Sequence, residues 1–317
     1  MRDEAIKTRS KNPLVALGKW GSELVGFRYD GVHNAKTFFN QNYRNIQTVT
    51  QLMATLTMGA SGATDTPSAT AHGRMVAGGI NSSREGFSLL LSKKISQNQA
   101  FMIKSAMAML GQGFYFHGTV IKPLINQHIY PYIEPALGII DSPALNTIVN
   151  PLLTPSTGNP PTVAEVIAAT IALTAWSGQF IGNIMQIIDN RVQDKHGNGI
   201  ISGLPNTKEF PTFRKPPKTT PWRDNVCLKP LSAGFRFGRS HFEQIAGTLL
   251  ATRGLFVVAD GVQRLVQEGS TPTSALTQTA SGLLFVAAAC ILMKMGNTKK
   301  RTQLASLKQL QDQGHTR

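Results

Sequence analysis

Two stretches of the chain, Val166 to Ile188 and Gly269 to Met293, contain no charged side chain and are apolar along most of their length. At 1.5 Å of rise per residue, each is long enough as a helix to cross a hydrocarbon core about 30 Å thick. Both are predicted to span a membrane. Glu243 to Val266 is largely apolar, and after Glu243 its only charged residues are Arg253, Asp260 and Arg264; it is predicted to pair with the Pro272 to Met293 helix as a tight hairpin. Ser105 to Ile121 is uncharged over 17 residues, a marginal length for a span. Pro123, Pro131 and Pro135 make its continuation kinked or interfacial. The pattern predicts an all-α integral membrane protein with two to four spans.

Helix starts are marked by capping signals. Ser82-Ser83-Arg84-Glu85, Thr162-Val163-Ala164-Glu165 and Ser240-His241-Phe242-Glu243 each have the S/T-x-x-E form. In this motif the hydroxyl accepts from the third following amide and the carboxylate reaches back. Thr271-Pro272 gives a fourth start, because proline at the first helical position loses no needed hydrogen bond. Helices are therefore expected from about residues 83, 163, 241 and 272. A short one is expected from Pro143 to the residue before Pro151, an amphipathic one over Asn45 to Met58, and a surface helix over Thr298 to Gln311. Gly59 to Ser82 is rich in Gly, Ala, Ser and Thr and is expected to be a loop with little capacity to pack.

Charge then orients these elements. The protein has 32 Lys and Arg against 17 Asp and Glu, yet from Pro123 to Asn190 there is no basic residue. Lys and Arg stay on the cytoplasmic side of a membrane, whereas loops poor in them are moved across. The expected organisation has five parts: residues 1–100, a basic and partly helical cytoplasmic segment; 101–190, a membrane region with a translocated Lys/Arg-free loop; 191–242, a basic Pro-rich cytoplasmic loop; 243–293, the membrane hairpin; and 294–317, a basic cytoplasmic tail. Both termini fall on the cytoplasmic side. No secretory signal is seen in the first hundred residues, so membrane entry is expected to rely on internal segments. Two cysteines, Cys227 and Cys290, indicate no disulfide framework.

Composition tempers the membrane reading. Mean hydropathy is −0.09, low for a chain that is mostly membrane, while 15% charged residues is sparse beside the roughly 25% of soluble domains. A few spans joined by polar segments fit both values. The alternative is a soluble Ala/Gly-rich bundle with an unusual gap in its charge.

The chemistry-bearing features are few. Gly178 and Gly182 form a GxxxG within the Val166 to Ile188 span, the second if Ser105 to Ile121 also crosses, where small residues let helix backbones approach, so they are read as helix-packing positions. Arg253 and Asp260, seven residues apart on one face, are a candidate intramembrane charge pair, with Arg264 four residues further on. Arg214, Lys215, Lys218, Trp222 and Arg223 interleave charge with aromatic rings in the basic loop. That composition suits anionic lipid head groups or a protein partner, and nucleic acid is not expected because no recognition module is present. Glu165 to Thr174 matches Glu243 to Thr252 at five of ten positions; an inverted repeat would give such a match, but it decays after the tenth position and is read as coincidence between two Ala/Thr-rich capped helices.

No catalytic or metal constellation assembles, and no cofactor is expected. Gly59-Ala60-Ser61-Gly62 with His72 is similar to the serine motif of rhomboid intramembrane proteases, but its flanks are polar. The G-x-S-x-G, P-loop and H-E-x-x-H spacings are absent. These features point to a non-enzymatic membrane scaffold or assembly subunit that binds other membrane proteins, further copies of itself or anionic lipid. The alternative is a small transporter or channel lined by the polar second span and the Arg253/Asp260 pair.

Overall fold

The computed structural model describes residues 31–90, 97–129, 131–132, 160–204, 220–267 and 269–314. The chain divides into two compact units, Met1–Gln47 and Thr48–Arg317, and the second carries the helix bundle. Eight α-helices account for most of the described residues: α1 (Gly31–Ala63), α2 (Ala69–Leu90), α3 (Gln97–Phe116), α4 (Lys122–His128), α5 (Val163–Arg191), α6 (Lys229–Ser240), α7 (Phe242–Leu265) and α8 (Pro272–Gly314). A π-helical turn, His117–Ile121, joins α3 to α4 without a break. No strand occurs among the described residues, and α5, α7 and the first part of α8 are long and apolar enough to cross a membrane.

Side-chain contacts give the order and direction of the helices. The turn between α1 and α2 meets the turn between α7 and α8, where Thr66 Oγ1 donates to the Gly269 carbonyl and Thr271 Oγ1 donates to the Thr64 carbonyl. Thr162, which caps α5, reaches Asp260 near the end of α7. Gly118 in the π-turn lies against Ala69 at the start of α2. These chain segments share one end of the bundle, the distal end. Gly247 near the start of α7 packs on Met293, at the end of the apolar run of α8, at the opposite, proximal end. Neighbours in sequence are thus antiparallel neighbours in space, with α6 set aside. Ser61 bonds Gln278, and Ser281 donates to the Ala54 carbonyl, so α8 returns to α1 and closes a ring in the order α1, α2, α3, α5, α7, α8.

Small residues set the closest approaches. A Cβ on Gly254 would stand 2.8 Å from the Gly282 carbonyl, and one on Gly282 would stand 2.6 Å from the Val258 amide. Gly78 meets the Gly59 backbone across α1 and α2 in the same way. This corrects the expectation of a loop over Gly59 to Ser82. The stretch is helical except for Thr64 to Ser68, because residues too small to make an apolar face are the ones that let two helix backbones touch.

The helix starts show the same mixture of agreement and revision. Thr162 accepts from the Glu165 amide at 3.0 Å, and Thr271 accepts from the Ser274 amide at 3.1 Å, as the caps predicted. α7 begins at Phe242, but Ser240 donates back to the Phe237 carbonyl and does not cap it. Ser82 and Ser83 lie inside α2, not at its start. Their hydroxyls donate to Thr55 and to the Gly79 carbonyl, and α2 is instead started by Ser68, which accepts from the Ala71 amide. The expected Asn45 to Met58 helix is part of the longer α1, and the Thr298 to Gln311 helix is continuous with α8. The short helix expected at Pro143 lies outside the described residues.

The burial pattern is the reverse of a water-soluble bundle. Fully buried positions are mostly Ala, Gly, Ser, Thr, Asn, Gln and charged residues, while large apolar side chains such as Leu56, Met75, Leu110, Ile181, Leu255 and Leu283 point outward. Tyr115, Phe285 and Met58 are the few large side chains in the main core cluster.

Candidate functional site

The interior of the ring is charged, and its charges gather toward the distal end. Arg264 on α7 stands at the centre of the layer. Its Nε lies 3.1 Å from both oxygens of Asp260 one turn earlier, Nη1 lies 3.1 Å from Asp65 in the α1–α2 turn, and Nη2 bonds Glu165 in the first turn of α5. Arg74 on α2 bonds Asp65 and approaches Glu165 at 3.5 Å. All five side chains are at most 2% exposed.

Neutral groups complete the layer. Thr162 Oγ1 donates to Asp260 at 2.6 Å, Gln278 on α8 donates to its other oxygen at 3.0 Å, and Ser61 donates to the Gln278 side-chain carbonyl at 2.8 Å. Tyr115 on α3 donates to Glu165 at 3.4 Å. Every helix of the ring therefore reaches this layer through a side chain, a cap or the α1–α2 turn. Glu165 does not use its carboxylate to reach back to the Thr162 amide, because two guanidinium groups claim it.

Arg253 lies about three helical turns below. It is 3% exposed, its guanidinium sits 4.4 Å over the Phe285 ring, and Nη2 contacts the Met58 sulfur at 3.3 Å. It forms no ion pair among the described residues, and its Nε has no hydrogen-bond partner there. Sequence spacing suggested a pair with Asp260. That carboxylate is instead occupied by Arg264, Thr162 and Gln278, and about 10 Å of helix rise separates the two residues. Further toward the proximal end, Arg84 pairs with Glu85 and stacks at 4.1 Å on the Trp176 ring.

A charge count shows what is unusual. The layer holds three carboxylates and two guanidiniums, an excess of one negative charge when all are ionised. Arg253 supplies the matching positive charge, but at a distance. Within the ring Arg74, Arg84, Arg253 and Arg264 balance Asp65, Glu85, Glu165 and Asp260, while the buried Asp189 and Asp194 belong to the proximal cap of α5. Taking an ion out of water costs several kcal/mol even after relaxation, and apolar side chains of the same volume would avoid that cost.

The remaining sequence-predicted positions lie elsewhere. A Cβ built on Gly178 or Gly182 meets nothing within 4 Å among the described residues. Trp222 and Arg223 are committed to the proximal cap of α5. Trp222 packs on the Met185, Ile200 and Ile201 cluster, and Arg223 lies 3.6 Å from Asp194. Arg214, Lys215 and Lys218 lie outside the described residues. In this cap the Asp189 carboxylate accepts from the Ile201 and Ser202 amides at 2.8 and 2.9 Å. Asp194 accepts from the His196 and Asn198 amides at 2.8 and 3.0 Å across a turn that needs Gly197 at φ +80°. Burial pushes the Asp194 carboxyl up, but those N–H donors outweigh it and hold the group below its ordinary value.

Sequence reasoning named Asp260 and noted Arg264 but missed Asp65, Arg74, Tyr115, Arg84 and the ionic use of Glu165. The available signal was isolation: Arg74 is the only charged residue between Asp65 and Arg84. Among the described residues no group of His, Cys, Asp or Glu is arranged to hold a metal ion. No family model matches the chain, and neither a curated protein nor a solved structure matches it.

Proposed function

We propose that this protein is a membrane transporter or channel in which the charged interior of the helix ring is the path of a small charged solute. The observation that carries the reading is Arg253, a buried cation with no carboxylate beside it among the described residues. A mid-membrane arginine costs about 2.5 to 3.5 kcal/mol on insertion scales. A cost of that size is retained where the charge meets something that passes or binds. The layer of Asp65, Arg74, Glu165, Asp260 and Arg264 then acts as the distal closure, since its ion pairs join α2, α5, α7 and the α1–α2 turn.

The test reconstitutes the full chain in sealed vesicles and measures fluxes of protons, alkali cations and small anions. Arg253→Leu removes the unfavourable charge, so abundance stays at or above that of the wild type. Flux falls at least tenfold, and Arg253→Lys retains part of it. Wild-type flux in Arg253→Leu at normal abundance removes the reading.

A second reading, an assembly subunit, rests on a different observation. Gly178 is exposed and Gly182 half-buried on α5, both with open space at the Cβ position, which suits close approach by a helix of another chain. Gly178→Leu with Gly182→Leu then abolishes co-purification of a partner or a second copy while leaving flux intact. Loss of flux without loss of partners favours the transport reading.

A further inference from the structure

α5, α7 and α8 qualify as spans on apolar length alone; α1, α2 and α3 do not. We propose that these three cross the bilayer as well, so that the lipid-facing belt runs around all six helices of the ring and its occupant along α1–α3 is lipid acyl chain. Their mean hydropathy is lowered largely by side chains that lie inside the ring, among them Gln51 and Thr55 on α1, Arg74 and Arg84 on α2 and Ser105 and Gln112 on α3.

α2 shows this most plainly. Its three charged side chains, Arg74, Arg84 and Glu85, are 0%, 3% and 6% exposed. No charged group is left for its outer face. Its 22 residues give about 33 Å of length, enough for a hydrocarbon core of about 30 Å. From Ile46 to Ala63 α1 has no charged residue at all, and it turns Met53 and Leu56 outward. On α3, Ile103, Leu110 and Phe114 form an exposed apolar stripe. A water-facing surface would place charge on such stripes; a lipid-facing one excludes it.

Charge at the two ends supplies the independent argument. With six spans, the connections at the distal end are Thr64 to Ser68, His117 to Thr162 and Val266 to Thr271. They contain one basic residue, Lys122 directly after the π-turn, and they hold Asp65, Glu134, Asp141 and Glu268. At the proximal end the connection after α2 holds Lys93 and Lys94, the one between α5 and α7 holds nine Lys and Arg, and the chain from Lys294 on holds six. A partition of one against seventeen is the signature of cytoplasmic retention of basic loops. A three-span chain would put residues 1–162 with all their basic residues on the distal side; crossing by α3 restores the partition, and crossing by α1 and α2 adds the Lys/Arg-free Thr64 to Ser68 turn to the distal side. A water-soluble first half would give Thr64 to Ser68 no reason to share the deficit.

The inference stands apart from transport, and its test reads sidedness alone. In a chain with Cys227→Ser and Cys290→Ser, single cysteines are introduced at Pro67, Ser92 and Asn159. They are probed in intact cells and in inverted vesicles with a membrane-impermeant thiol reagent. Six spans place Pro67→Cys and Asn159→Cys outside and Ser92→Cys inside. Three spans place all three on one side, and four spans beginning near Ser105 place Pro67→Cys with Ser92→Cys. Thr64→Cys repeats the measurement in the same turn should Pro67→Cys not accumulate. Labelling of the 64–68 turn from the same face as position 92 overturns the inference, whatever the flux assays show.

Discussion

At the scale of single residues, stability and exposure part company. Asp260 is fully buried and accepts from three side chains, whereas Asp224 pairs with Arg223 at 3.6 Å and has a side chain 57% exposed. Breaking a buried pair leaves an uncompensated charge and costs about 3 to 5 kcal/mol; a surface pair contributes about 0 to 1 kcal/mol. Asp260→Asn is expected to lower the unfolding free energy in detergent by an amount in the first range, and Asp224→Asn by no measurable amount. Equal midpoints for the two variants would contradict the ion-pair layer.

Asp194 gives a pH dependence of definite sign. Its carboxyl titrates lower in the folded chain than in the unfolded one, so its contribution is fully present above the unfolded value of about 4 and is lost as pH falls through the folded value. Trp222 packs against the same cap and reports its opening. With Trp20 and Trp176 replaced by Phe, its emission is expected to shift red only below about pH 4. In Asp194→Asn the emission is already shifted at neutral pH.

At the scale of elements, the seven-residue spacing of Gly247, Gly254 and Gly261 puts three glycines on the α7 face that meets α8. Gly282 answers from α8 opposite Gly254. A side chain at Gly254 forces the hairpin apart, and overpacking costs typically about 1 to 3 kcal/mol. Gly254→Leu is expected to reduce folded protein in the membrane severalfold, measured by size-exclusion profile after detergent extraction. Gly178→Leu leaves the amount of folded protein unchanged, since no described residue lies within 4 Å of a Cβ there. Capping was legible in the sequence where hydroxyl and carboxylate stood at the edge of an apolar run, as at Thr162. It was misread at Ser82, where the same letters lie mid-helix because tertiary contacts with Thr55 hold the hydroxyl.

At the scale of the whole molecule, an outward apolar surface around a charged interior predicts how the protein partitions. Arg-rich peripheral association is reversed by alkaline carbonate, but buried spans are not. The chain is expected to remain in the membrane pellet at high pH and to leave it only with detergent. Recovery of most of it in the supernatant would place the ring in water and remove the premise of the bundle's inverted burial. The proximal end also carries α6, where Leu231 and Phe237 are exposed beside Lys229, Arg236 and Arg239, a pattern suited to the head-group layer.

The helical class, the apolar runs that became α5, α7 and α8, the caps at Thr162 and Thr271, and the stretch from Pro123 to Asn190 without a basic residue were all legible in the chain. Each comes from local composition or spacing, which a chain displays before it folds. Only the tertiary structure decided that the Gly/Ala/Ser/Thr-rich stretch after Gly59 is part of the bundle, since small residues declare a close approach only when a second backbone is present. It also decided the partners of the buried charges. Asp65, Arg74, Glu165 and Arg264 are as much as 199 residues apart in the chain, and nothing local distinguishes an arginine that meets a carboxylate across the ring from one, like Arg253, that meets an aromatic face.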